Sequence, residues 1–227
     1  MVVKTARKLA DRVRERFPEA GLAKLASEVH SVAEENVARS RAIRRPIWSL
    51  RILAAIVVIG VPLLILLVEQ STVGSKIGRI TSLAEFVQTL EASLGAIVFL
   101  GAAIFFVISL EARIKRGRAL DALAELRSLA HIVDMHQLPK GPERLIDRTK
   151  RTASSPHVDL DMFHMERYLD YCSEMLSIIG KVAALYIQGY NDSAAVGAVD
   201  EIEALTTALS RKIWQKITLV QATGNAS

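Results

Sequence analysis

Two stretches of the chain lose the alternation of polar and apolar positions that marks everything around them. Ile52 to Val68 and Ala92 to Leu110 are apolar on every side of a helix and contain no charged residue and no histidine. Each approaches the roughly 20 residues that cross a hydrocarbon core of about 30 Å as an α-helix. The polar spacer between them, 69–91, is short, so the pattern predicts a transmembrane helical hairpin with spans at about 47–68 and 92–110. Within the spacer, Ser82 followed by Glu85 fits a capping box at the start of a helix leading into the second span.

Elsewhere the apolar positions recur every three or four residues. Ala6, Leu9, Ala10, Val13 and Phe17 form one face of a basic helix, suited either to docking on a membrane surface or to packing against the protein's own cytoplasmic part. A second helix follows Pro18 through Leu22, Leu25, Ala26, Val29, Ala33 and Val37, and Pro46 bends the chain before the first span. Residues 1–46 are therefore expected as an N-terminal amphipathic helical arm. Beyond Leu110 a stripe continues through Ile114, Leu120, Leu123, Leu126, Ala130 and Val133, which makes the second span one part of a longer helix. Residues 139–160, with three prolines, read as a linker. Met162, Met165, Leu169, Cys172, Leu176, Ile179, Ala183 and Tyr186 then hold coiled-coil heptad spacing, and Val199, Ile202, Leu205, Leu209, Ile213, Ile217 and Val220 form a last stripe after a turn at Gly189–Ser193. The expected fold is all-α: a transmembrane helical hairpin continued into a cytoplasmic antiparallel bundle of three helices over 111–222, with a disordered tail at 223–227. Apolar faces left uncovered on that bundle imply a homo-oligomer.

Charge orients this arrangement. Residues 1–46 carry eleven Lys and Arg against six acids, while residues 111–227 balance at fifteen each. The bases gather at the span ends: Arg44, Arg45 and Arg51 with Trp48 at the first, Arg113, Lys115 and Arg116 after the second. They form the expected membrane interface, place both termini in the cytoplasm and favour anionic lipid head groups over nucleic acid as the partner. Pro62 is expected to kink the first span. Ala92, Gly95, Ala96, Ala102 and Ala103 make a small-residue sector on the second, open to three readings: packing against the first span, self-association, or lining of a pore.

Candidate chemistry is sparse. His131 and Asp134 stand three apart on one helix, and Asp161 and His164 three apart on the next; the spacing allows a metal site between helices or hydrogen bonds holding helix ends. His136 is expected in a loop contact near Pro139. Cys172, the one cysteine, sits at a core heptad position, where a small buried group is expected and a nucleophile is not. There is no Ser–His–Asp order, P-loop or dinucleotide glycine pattern, so no catalytic residue and no cofactor is expected. The chain reads as a non-enzymatic assembly or scaffolding protein of the membrane, with an oligomeric channel and a metal-responsive sensor as alternatives.

The stretches HIVDMHQLPK (131–140) and LSRKIWQKI (209–217) resemble those of an uncharacterised family of small bacterial inner-membrane proteins. The resemblance covers the part from the second span onward. It implies a double-spanning protein of the bacterial inner membrane, and it carries no functional residue over.

Overall fold

The computed structural model describes residues 1–73, 83–140 and 160–224. The Ser82–Glu85 cap, all but the ends of the 139–160 linker, and residues 225–227 lie outside them. All regular structure among the described residues is helical: α1 (Val2–Arg16), α2 (Gly21–Arg44), α3 (Trp48–Val73), α4 (Leu83–Gln137), α5 (Met162–Ala183) and α6 (Ser193–Gly224). Two of them, α3 and α4, are long and apolar enough to cross a membrane. The second apolar run is indeed part of a longer helix, since α4 has 55 residues. The last helix reaches Gly224, past the expected start of the tail.

The helix boundaries follow from local chemistry. The chain ends α1 where the Phe17 N–H reaches the Val13 carbonyl (2.8 Å) and Pro18 follows with no N–H to give. Asp161 caps α5 by accepting the His164 N–H at 2.7 Å. Asp192 does the same for α6, accepting from the Ala194 and Ala195 amides at 3.1 and 3.2 Å. Between α5 and α6, Gly189 takes φ +85°, a left-handed conformation that other residues resist. The helix α3 runs unbroken through Pro62.

The chain divides into two compact units, one of residues 1–44 with 116–227 and one of residues 45–115. The first has a continuous apolar core. Its contributors include Leu9 and Val13 of α1, Leu22, Leu25 and Val29 of α2, Leu123, Leu126 and Val133 of α4, Met165, Leu169, Met175 and Ile179 of α5, and Val199, Ile202, Ile213 and Ile217 of α6. Two expectations need correction here. Residues 1–46 are no separate arm, because the apolar faces of α1 and α2 are buried in this core. The bundle is also larger than three helices: α1 packs on α2 and α5, and α2 packs on α5 as well. Apolar faces that three helices would leave bare are thus covered by residues 1–44. The bare-face argument for a homo-oligomer loses its basis, and packing replaces membrane docking as the account of α1.

Within the core a buried polar contact joins α2 to the turn after α5. The Tyr186 hydroxyl donates to Asn36 Oδ1 at 2.7 Å, and Asn36 Nδ2 donates to the Val32 carbonyl at 2.9 Å, with Asn36 fully shielded from solvent. Gly180 fits against Thr206, where an added Cβ would come within 3.1 Å of the Thr206 hydroxyl, so α5 and α6 approach closely at that point. Removing one partner of a buried hydrogen bond leaves the other desolvated, at a cost of about 1–3 kcal/mol, while replacing both with apolar groups is close to neutral. Asn36→Leu alone and Tyr186→Phe alone should each lower the thermal unfolding midpoint of the detergent-solubilised chain. The double variant should lose less than the sum of the two, and strict additivity in this cycle would show that the bond contributes nothing.

Candidate membrane interface

In the unit of residues 45–115 the apolar runs face outward. Ile56 is 62% exposed and Ile59 65% on α3, and Phe99 is 71% and Phe105 73% on α4. The most apolar 18-residue window of each helix has none of its residues buried, which separates these helices from the core helices of a water-soluble protein. Leaving one large apolar side chain in water forgoes about 1.5–3 kcal/mol. Repeated along two helices, that loss exceeds the 5–15 kcal/mol by which a domain is typically stable. By length, composition and exposure both helices could cross a membrane.

Partly covered positions include a stripe on each helix: Leu50, Ala54, Val57 and Val58 on α3, and Leu100, Ala103, Ile104, Val107 and Leu110 on α4. The small-residue sector does not coincide with the stripe on α4. Of its members only Ala103 is half-buried; Ala92, Gly95, Ala96 and Ala102 are exposed, and nothing lies within 4 Å of a Cβ built on Gly95. Packing against the first span, as a reading of this sector, is replaced by an outward orientation. Bulky β-branched and leucine side chains fill the covered stripe instead.

At the end of the second span stands a residue that the reading of charge passed over. Glu111, with a side chain 16% exposed, accepts from the Ile47 backbone N–H at 3.3 Å and from Lys115 Nζ at 2.8 Å, with Arg51 Nε at 3.6 Å. Ile47 immediately precedes α3 and its carbonyl accepts the first helical bonds, from Leu50 and Arg51, so its amide is among the N–H groups at the helix start that have no partner inside the helix, where the dipole favours negative charge. A carboxylate from α4 thus caps α3. The hydrogen bond from Lys115, with the Ile47 amide and the charge of Arg51, holds the Glu111 carboxyl below its ordinary range in spite of partial burial. A sequence signal was present, since an acid directly after an apolar span with Lys four residues on is an i,i+4 pair at a membrane boundary.

The other expected interface residues fall into two groups. Arg44 donates to the Leu185 carbonyl at 3.1 Å, and Arg116 pairs with Asp192 at 2.7 Å, so both serve the core unit. Arg45, Arg113 and Trp48 are exposed, Trp48 by 68%.

The four metal candidates are not brought together. Asp134 pairs with Lys212 (3.2 Å) and accepts from Gln137 Nε2, and His131 is exposed. Asp161 caps α5 and holds the His164 ring at 2.8 Å, while His164 lies edge-on to Phe17 with centroids 6.1 Å apart. The Asp161 carboxyl is lowered chiefly by the His164 amide, a capping effect. No group of three or more metal-type ligands occurs among the described residues. His136, expected in a loop, lies in the last turn of α4; its carbonyl accepts from the Tyr168 hydroxyl at 3.3 Å. Burial pushes the Cys172 thiol up to about 12, so it stays protonated near neutral pH and packs as an apolar group.

Comparison of the chain with known protein families, with curated proteins and with solved structures finds no match. The functional reading therefore rests on the chain's own residues.

Glu111→Gln removes the charge and keeps the shape, so it tests the cap. It should lower the thermal midpoint in detergent by weakening charge-assisted hydrogen bonds worth about 1.5–3 kcal/mol. A carboxyl lowered in the folded state contributes its full stability above the ordinary value of 4.5 and loses it as the pH falls through the lower folded value. The gap between the parent and Glu111→Gln should accordingly close on acidification below about pH 4.5. A gap that stays constant down to pH 2 would assign the effect to packing.

Proposed function

We propose that the chain is an integral protein of the bacterial inner membrane, with α3 and the first part of α4 as a transmembrane hairpin and the core unit as a cytoplasmic antiparallel helix bundle. It acts without catalysis, as a homo-oligomeric assembly or scaffolding element. The observation that carries this reading is the unburied apolar surface of α3 and α4 beside a core unit that buries its own apolar faces. A chain able to cover residues 1–44 so fully would not leave Phe99, Phe105 and Phe106 in water. Positive charge before the first span and after the second places both termini on the cytoplasmic side.

Assembly is assigned to the outward small-residue sector of α4. Apolar contact gains little between helices already in lipid, so association there depends on close backbone approach, which Gly95, Ala96 and Ala102 permit.

Membrane residence is tested by alkaline carbonate extraction of native membranes, where the chain should remain in the pellet. Because Cys172 is buried, the protein offers a quiet background for topology labelling. A membrane-impermeant maleimide should miss Lys4→Cys and Gln221→Cys in sealed cells and label a cysteine placed within 69–91. For assembly, Gly95→Leu has room in the monomer and should abolish crosslinked oligomers without changing the thermal midpoint; oligomers that persist would move the contact elsewhere.

A further inference from the structure

Helix α6 buries one face in the core unit and leaves the opposite face bare. Val199, Ile202, Ile213 and Ile217 are buried, whereas Gly197, Asp200, Ala204, Thr207, Arg211 and Trp214 are exposed, at spacings that alternate between three and four. That is the spacing by which two helices pair. Between Asp200 and Arg211 the bare face forms a shallow hollow of about 470 Å³, floored by Ala204, Thr207 and Ala208. At its two ends the relief is unequal: nothing lies within 4 Å of a Cβ built on Gly197, while Trp214 stands 59% exposed. Neither Asp200 nor Arg211 has a hydrogen-bond or ion-pair partner among the described residues. Eleven positions of helix, roughly 16 Å of rise, keep them from each other. The charges beside them are already used, Glu201 by Arg127 at 3.0 Å and Lys212 by Asp134 at 3.2 Å.

The order of residues along this face is complementary to its own reverse. Laid antiparallel on a second copy with Asp200 opposite Arg211, the same register sets Ala204 opposite Thr207 and Gly197 opposite Trp214. Acid then meets base twice, small residues meet at the centre, and each large ring meets the one position that has no side chain. A twofold contact requires this reciprocity, in which each residue of a pair occurs on both copies. Parallel pairing would set Asp200 against Asp200 and Arg211 against Arg211, so charge fixes the direction as well as the register. Ala204 and Thr207 allow the two helix axes to come near the short end of the usual 8–10 Å. Trp and Arg are the residues that most often dominate such contacts, because they bury large area and carry directional polar groups. We infer that the bare face of α6 is a homodimer contact, two copies of α6 pairing antiparallel through Asp200–Arg211 ion pairs with Trp214 over Gly197. This contact lies wholly within the core unit, and it depends neither on the small-residue sector of α4 nor on membrane residence.

The test uses the full chain in detergent, carrying Gly95→Leu so that the α4 sector is silent, with molar mass followed by sedimentation. A single helix pair falls at the small end of the interface range, where complexes are transient. The association is therefore read at up to about 50 μM, far above the dilution of the crosslinking assay. The chain should pass from monomer to dimer as concentration rises. Asp200→Arg and Arg211→Asp should each weaken the dimer at least about tenfold, since by symmetry one substitution turns two attractive pairs into repulsive ones. An equimolar mixture of the two single variants should regain the dimer, and so should the double reversal, neither of which a loss of folding could produce. Gly197→Leu has open space in the monomer, so it should block the dimer without lowering the thermal midpoint. A chain that stays monomeric throughout, a dimer indifferent to both reversals, or single variants that do not rescue each other overturns the contact. The two assembly readings fail separately: oligomers that survive Gly95→Leu and dissolve with Asp200→Arg support the α6 contact against the α4 sector, and a monomeric Gly95→Leu chain does the reverse.

Discussion

A single helix, α4, has to satisfy two environments, and the rest of the chain is arranged around that demand. Its backbone closes its own hydrogen bonds along the whole length, so the environment can change without any change of conformation. Only side chains register the difference. Up to Ile108 they are large, apolar and mostly exposed; from Ala119 the apolar ones, Ala122, Leu123, Leu126, Ala130 and Val133, turn inward to a protein core. The change occupies about two turns, where Glu111, Arg113, Lys115, Arg116 and Arg118 crowd together. Within that stretch every neighbour has to be compatible with charge, which is why the α3 N-terminus meets a carboxylate there.

The core unit is governed by area. A helix with an apolar face about 100° wide has to bury that face, and the part of α4 beyond the boundary with α5 and α6 presents more apolar surface than three helices cover. Residues 1–44 supply the missing cover. Phe17 at the end of α1 enters an edge-to-face cluster with His164, Tyr168 and Tyr171, at centroid distances of 5.7–6.2 Å, and Arg12 bonds Glu174 beside it. The exposed ion pair is worth little by itself. The aromatic contacts and the buried Leu9 and Val13 do the larger share of holding α1 in place.

The all-helical class, both apolar helices and the continuity of α4 were readable because each rests on composition and period along one segment. Residues 1–44 were readable as helices but not as core, since an amphipathic stripe states that a face is buried and is silent about its partner. The small-residue sector shows the same limit: Gly95 and Ala96 permit close approach, but whether the facing surface belongs to this chain depends on rotation about the helix axis, which Leu100, Ile104 and Val107 decide by shape. Charge was misread for a related reason. Arg44 and Arg116 look like Arg45 and Arg113 in sequence, and only the fold brings the Leu185 carbonyl and Asp192 to the first pair.

The stretches 131–140 and 209–217 meet in space. Lys216, from the second, donates to the Gln137 carbonyl at 3.0 Å and to its side-chain oxygen at 2.6 Å, and Lys212 pairs with Asp134 of the first. Cations at the last turn of a helix satisfy carbonyls that have no partner within it and offset the negative end of the dipole. These polar residues are thereby engaged in ending α4, and so is the Tyr168 hydroxyl on the His136 carbonyl. Structure accounts for the candidate chemistry at that end of the helix. The distal histidines and carboxylates thus belong to the architecture.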